Sequence, residues 1–150
     1  MIYGKDFLTL LDFSPKEIEY LIDLSIKFKQ GKISAKNIEE LSGKTMVLFF
    51  EKPSTRTRMS LEVACHSLGV KPIYVYSGTT QLARGEPIED FARVLDRYVD
   101  AIAARVYSHE SLVLLAKYAK MPVINALSDM YHPLQAVADY MTIKENFGKK

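Results

Sequence analysis

"TMVLFFEKPSTRTRMSLE", residues 45–62, changes character halfway along. With Lys44 before it, this opens as "KTMVLFF" (44–50), a continuous apolar run read as a buried strand and entered through the turn at Ser42-Gly43. From Thr57 the apolar residues return at helical spacing, with Leu61, Ala64, Cys65 and Leu68 on one face of a helix over 57–69. A continuously apolar strand running straight into an amphipathic helix is the repeating unit of a parallel α/β sheet. The junction is the unusual part. Ser54, Thr55, Arg56, Thr57 and Arg58 place three hydroxyls and two guanidiniums side by side. That stretch is too polar for a core, and it points to an anion.

The same alternation continues along the chain. Strands are expected over 71–76 ("KPIYVY"), 101–107 ("AIAARVY") and 122–125 ("PVIN"), and helices over 87–99, 108–119 and 133–148. A helix precedes the first strand: Ser14 is its N-cap, Pro15 sits in its first turn, Glu17 completes a capping box and Gly31 ends it. The fold class is therefore α/β, a doubly wound sheet of about four parallel strands with helices on both faces. No repeat or low-complexity linker interrupts it. "SGKT" (42–45) imitates the tail of a phosphate-binding P-loop. It has Ile38 where that loop needs glycine and it precedes a strand instead of following one, so it reads as a plain turn.

Composition sets outer bounds. At 150 residues the chain is about one domain, and 48% hydrophobic with 25% charged residues is ordinary for a globular protein. A formal charge of +2 gives no reason to expect nucleic acid. One cysteine allows no internal disulfide and fits a reducing compartment. No apolar run approaches the roughly 18 residues of a membrane span, and "MIYGKDFLTLLDF" lacks the layout of a signal peptide. A cytoplasmic protein with no nucleic-acid or membrane partner is expected.

Doubly wound sheets bind ligands at the carboxyl ends of their strands. "EKPSTR", "SGTTQLARGE", "RVYSH" and "NALSDMYHPLQ" occupy those four junctions, and the polar residues of the sequence gather there. At the first, unpaired helix N–H groups and the helix dipole favour an anion, with Ser54, Thr55 and Thr57 adding donors. Residues two apart on a helix diverge by about 200°. Arg56 is therefore assigned to the ligand and Arg58 to Glu62, one turn on. Solvated arginines after an N-cap are the alternative. Arg105, near the end of a buried strand, needs a partner: an anion over the strand ends, or a carboxylate such as Asp100. His132 and Gln135 flank Pro133 where they reach a ligand over the sheet, a structural histidine being the alternative. Cys65 reads as a core residue, His66 and His109 as solvated helix residues, and no two histidines have metal-ligand spacing.

Together "FEKPSTRTR", "RGE…ARVL", "ARVY" and "HPLQ…AD" resemble the carbamoyl-phosphate half of the aspartate/ornithine carbamoyltransferases, over essentially the whole chain. The resemblance implies that Ser54, Thr55, Arg56 and Thr57 cradle the phosphate of carbamoyl phosphate. It implies that Arg105, His132 and Gln135, with Thr57, hold the carbamoyl group and are the catalytic residues. An amine attacks the carbonyl carbon, a tetrahedral intermediate forms and phosphate leaves, without cofactor or metal. The resemblance further implies a homotrimer, or a multiple of trimers, in which the loop "TTQLARGE" reaches a neighbour's site with Gln81 and Arg84. In the aspartate enzymes that loop carries a catalytic lysine where this chain has Arg84. Gln81 and "ARVY" match the ornithine enzymes of arginine metabolism better, and Leu134 matches neither. Aspartate carbamoyl transfer in pyrimidine biosynthesis is the alternative. A non-catalytic anion-binding module is a second one, disfavoured because such modules want acidic strand ends.

The resemblance departs in length. Family enzymes are about twice as long, and their second half holds the amine substrate, here ornithine. Residues 1–150 would be the carbamoyl-phosphate-binding domain alone, and "NFGKK" reads as a cut in mid-protein rather than a natural end. Alone, the chain is expected to bind carbamoyl phosphate without forming citrulline at an enzymatic rate.

Overall fold

The computed structural model describes residues 2, 4–34, 36 and 38–148. Met1, Tyr3, Lys149 and Lys150, which belong to the readings of both termini, lie outside the described residues. The chain runs through α1 (Pro15–Lys29), β1 (Thr45–Phe50), α2 (Thr55–Ser67), β2 (Lys71–Tyr76), α3 (Ile88–Leu95), β3 (Ala101–Arg105), α4 (His109–Tyr118), β4 (Val123–Leu127) and α5 (Pro133–Phe147). Short 3-10 turns at Leu10–Asp12, Glu39–Leu41, Ser77–Thr79 and Gln81–Arg84 connect them. The four strands are parallel in the order β2-β1-β3-β4.

Burial explains why β1 does not alternate: Val47, Leu48, Phe49 and Phe50 are all buried because both faces of the sheet are covered. On one face Val47, Phe49, Ile102, Ala104 and Val123 pack against Phe91 and Ala92 of α3 and Leu112 and Leu115 of α4. On the other, Leu48, Phe50 and Ala103 meet Leu61 and Cys65 of α2. Truncating a side chain as enclosed as Leu48 to alanine costs about 2–5 kcal/mol. Cys65 is a core residue, and burial raises its thiol pKa.

α1 begins as its sequence dictates. Ser14 Oγ accepts from the Glu17 N–H while the Glu17 carboxylate accepts from the Ser14 N–H, a complete capping box. α1 packs on α5, and Lys29–Glu145 (2.7 Å) and Lys144–Asp23 pair between the two helices. Gly43, in the "SGKT" turn, has φ +79, which a residue with a Cβ rarely adopts.

Several boundaries move. α2 starts at Thr55, two residues before the sequence expectation, and Ala64 is exposed, leaving Leu61, Cys65 and Leu68 inward. α3 stops at Leu95, short of the expected Val99, and the carboxylate of its C-cap Asp96 accepts the backbone N–H groups of Lys120 and Met121. β3 stops at Arg105, and β4 runs on to Leu127. An unexpected feature closes the β4 edge. Phe7 forms a parallel bridge with Ile124, donating to the Val123 carbonyl and accepting from the Asn125 N–H, both at 2.8 Å. Asp6 caps the same edge by accepting the Val123 N–H. Among the described residues no helix is long and apolar enough to cross a membrane.

Candidate anion site at the strand ends

The strand order reverses between β1 and β3. From β1 the chain leaves to one side for β2 and then returns to the other for β3. The carboxyl ends of β1 and β3 therefore part into a crevice, the place where a doubly wound sheet holds its ligand. The two strands stay together up to its rim, where the Glu51 N–H donates to the Arg105 carbonyl at 2.8 Å.

Arg105 spans this crevice. Its Nη1 donates to Ser54 Oγ at 2.9 Å and to Thr57 Oγ1 at 3.0 Å. No carboxylate neutralises it among the described residues. Asp100, the alternative partner considered above, lies at the opposite end of β3, where it pairs with Lys44 and accepts the Thr45 N–H. Lys44 and that N–H hold the Asp100 carboxyl below its usual range. Arg105 Nε is buried without a partner. A guanidinium held by two neutral hydroxyls, with a buried unpaired N–H, has the donors and the charge to receive an anion.

Ser54 occupies the N-cap of α2, yet its side chain caps nothing; it has turned to Arg105 instead. No acidic residue lies in the first turn of α2. The helix N-terminus thus presents free N–H groups and its positive dipole end beside Arg105. Having accepted from Arg105, the hydroxyls of Ser54 and Thr57 keep their hydrogens for a ligand oxygen. Thr55 and Arg56 are exposed on the same turn, and Arg56 has no partner among the described residues. Arg58 is engaged elsewhere: its Nε donates to Glu62 at 2.8 Å and its guanidinium lies 3.6 Å over the Tyr74 ring. The Arg58–Glu62 pair expected from helical geometry is present, and Arg56 projects from the same turn into solvent.

His132 stands at the N-cap of α5, with Pro133 in the first turn. Its Nδ1 is buried and unpartnered. Burial lowers its pKa from 6.5 and the Arg105 charge lowers it further, against a smaller opposing pull from Asp139. A neutral imidazole results, able to donate a hydrogen bond without bringing a second cation. Gln135 is exposed on α5, and its Nε2 donates to Asp139 Oδ1 at 2.8 Å, which leaves Oε1 as the free acceptor. Gln81 lies apart: among the described residues it makes no hydrogen bond to the others, and its Oε1 faces Arg84 at 3.5 Å. Its loop is less bare than its polarity implies, because Leu82 packs into the main core.

His109 corrects the sequence reading. It is half-buried, not solvated, and lies against the loop before His132. Its surroundings include Ser128, and through Ser128 the buried Asn125, neither marked by the local sequence as a site residue. A polar residue inside the apolar run "PVINAL" was the available signal for Asn125, since a fully buried amide requires partners.

The layout defines a class: a doubly wound α/β domain that offers one anion a helix N-terminus, hydroxyls and a guanidinium, with a neutral histidine alongside. Residues 5–145 match the family described as "Aspartate/ornithine carbamoyltransferase, carbamoyl-P binding domain", and the chain belongs to that family. It is 55% identical over 149 residues to the ornithine carbamoyltransferase of Sulfurisphaera tokodaii, covering 99% of this chain and 49% of that protein. It is 52% identical to the anabolic ornithine carbamoyltransferase of Pyrococcus furiosus, covering 97% and 46%. The solved ornithine carbamoyltransferase structure from P. furiosus superposes with a TM-score of 0.88 at 50% identity, over 99% of this chain and 47% of that one. The Thermus thermophilus enzyme gives 0.88 at 46% identity, over 95% and 49%. The chain spans about half the length of the curated relatives it matches.

Proposed function

We propose that this chain is the carbamoyl-phosphate-binding domain of an ornithine carbamoyltransferase, and that a second domain supplies the ornithine site. The observation that carries the reading is Arg105, uncompensated by any described carboxylate and tied to the hydroxyls of Ser54 and Thr57 at the rim of the β1–β3 crevice. In this reading Ser54, Thr55, Arg56 and Thr57 hold the phosphate, with the N–H groups of α2 beneath it. Arg105, His132 and Thr57 donate to the carbonyl oxygen, and the free Oε1 of Gln135 accepts from the carbamoyl amide. The ornithine amine attacks the carbonyl carbon, negative charge develops on the oxygen those donors surround, and the intermediate collapses to citrulline as the C–O bond to phosphate breaks. Removing one donor aimed at such an oxygen costs about 2.7–4 kcal/mol of transition-state stabilisation.

A neutral His132 suits this role. It adds a donor beside Arg105 without the repulsion of a second positive charge. Gln81 serves a neighbouring subunit's phosphate, which makes the working assembly a cytoplasmic trimer or a multiple of one. The names of the relatives support ornithine as the acceptor, as does Gln81; assays of the protein joined to its second domain, with ornithine and with aspartate in turn, decide between the two amines. Calorimetric titration of this chain with carbamoyl phosphate and with inorganic phosphate tests the binding half of the proposal. Saturable carbamoyl-phosphate binding is expected. A chain that binds neither carbamoyl phosphate nor inorganic phosphate would refute it.

A further inference from the structure

His109 opens α4 on the strand-end face but has no part in the reaction just described. Its contacts converge on one loop. Its N–H donates to Asp129 Oδ1 at 2.7 Å, its Nδ1 lies 3.0 Å from Ser128 Oγ, and its ring meets the Tyr131 ring edge-on at 4.9 Å between centroids. The next residue after that loop is His132.

The loop is closed on itself around the Tyr131 peptide. Tyr131 N–H donates to Ser128 Oγ at 3.1 Å, and the Tyr131 carbonyl accepts from Ser128 N–H at 3.0 Å and from Asn125 Nδ2 at 3.2 Å. Two donors fill the two lone pairs of that carbonyl. Ser128 Oγ lies 3.3 Å from the same oxygen, a poorer contact than its 3.0 Å approach to His109 Nδ1, so its hydrogen is best spent on that nitrogen. The chain of bonds runs His109 Nδ1, Ser128 hydroxyl, Tyr131 N–H. Beyond it Pro133 has a fixed φ and restricts the backbone of His132, so the setting of the Tyr131 peptide decides where the imidazole stands.

We propose that His109 is a positioning residue for His132, acting as the acceptor that locks Ser128 and, through it, the Tyr131 peptide. The inference rests on the reading of His132 as a contact to the carbamoyl group. It predicts a selective defect: the phosphate half of the site, built on α2 and Arg105, does not depend on this loop.

The experiment compares inorganic phosphate with carbamoyl phosphate by calorimetry on the wild-type chain, His109→Asn and His109→Leu. An asparagine Oδ1 replaces Nδ1 as an acceptor, and leucine cannot. His109→Leu is expected to keep phosphate affinity and to lose roughly tenfold of the advantage carbamoyl phosphate has over phosphate, the worth of about one hydrogen bond. His109→Asn is expected to retain that advantage. In the NMR spectrum the His132 ring resonances should shift in the leucine variant and stay in place in the asparagine variant. Should His109→Leu not fold, Ser128→Ala breaks the same link with a smaller change and is expected to show the same selective loss. An unchanged advantage in His109→Leu and Ser128→Ala would overturn the proposal, as would parallel weakening of both ligands in every variant including His109→Asn. If the wild-type chain binds carbamoyl phosphate no better than phosphate, the assignment of His132 falls first and the role of His109 falls with it.

Discussion

Arg105 and Thr57 meet at 3.0 Å, guanidinium Nη1 to hydroxyl Oγ1, across 48 residues of sequence. The contact ties the end of β3 to the first turn of α2 and fixes the width of the crevice between β1 and β3. It also leaves the positive charge of Arg105 without a carboxylate among the described residues, a costly arrangement unless an anion joins it.

The two arginines of "STRTR" should separate cleanly on mutation. Arg56→Ala is expected to weaken phosphate and carbamoyl-phosphate binding by roughly 10–150-fold, the range of one charge-assisted hydrogen bond or pair of them, with an unchanged melting temperature. Arg58→Ala is expected to leave ligand affinity near wild type and to lower the melting temperature, through loss of Glu62 and the Tyr74 face. Equal binding losses with unchanged melting for both variants would contradict the assignment.

His132 should titrate below 6.5, because burial and then the Arg105 charge disfavour its protonated form. A histidine with a depressed folded pKa leaves stability intact above its unfolded value and withdraws it as pH falls from 6.5 towards the folded pKa. Arg105→Gln removes the second cause while burial remains, so the His132 pKa should rise part of the way back. An NMR titration of the His132 ring in both proteins measures this. An identical pKa in the two would show that Arg105 exerts no field there.

Asn125 is fully buried and joins distant parts of the chain: its Nδ2 donates to the Leu8 carbonyl at 2.9 Å and to the Tyr131 carbonyl at 3.2 Å. Asn125→Ala strands the Leu8 carbonyl and should destabilise the fold by about 1–3 kcal/mol, read from urea unfolding. A loss well under 1 kcal/mol would mean that the amide is dispensable.

Glu17 is held down to about 2, first by the Ser14 N–H and then by Lys5. A carboxylate with a depressed folded pKa contributes stability above its ordinary 4.5 and loses it as pH falls from there towards about 2. The melting temperatures of wild type and Glu17→Gln should therefore differ at neutral pH and converge in acid over that window. Curves that stay parallel through it would exclude the Glu17 charge as the source of the difference.

The strands and helices were legible because each junction carries its own local chemistry: Ser14, Pro15 and Gly31 around α1, the apolar block 45–50, and Pro133 opening α5. What escaped the sequence depends on contacts between distant segments. Phe7 joins β4 through a single bridge, too short to show a strand period. Arg105 offered two partners on paper, and only the fold separates Asp100 from it by the length of a strand. His109 looked solvated because its partners, Asp129, Ser128 and Tyr131, arrive from the next junction. Leu82 sits in a polar loop, and its packing against the main cluster appears only once α3 is placed.

The bridge between Phe7 and Ile124 sets an order of events during synthesis. The Asp6 carboxylate bonds Val123, 117 positions later, and the Phe7 backbone bonds Val123 and Asn125, so these groups lack their native partners until almost the entire domain has left the ribosome. The Asp6–Phe7 segment is thus among the last of the domain to settle, and the β4 edge it covers stays open to other strands while it waits. Translation speed through residues 120–130 consequently governs how long that edge is exposed. Slowing the ribosome before Val123 would lengthen the life of a chain with an uncapped sheet but no means of capping it.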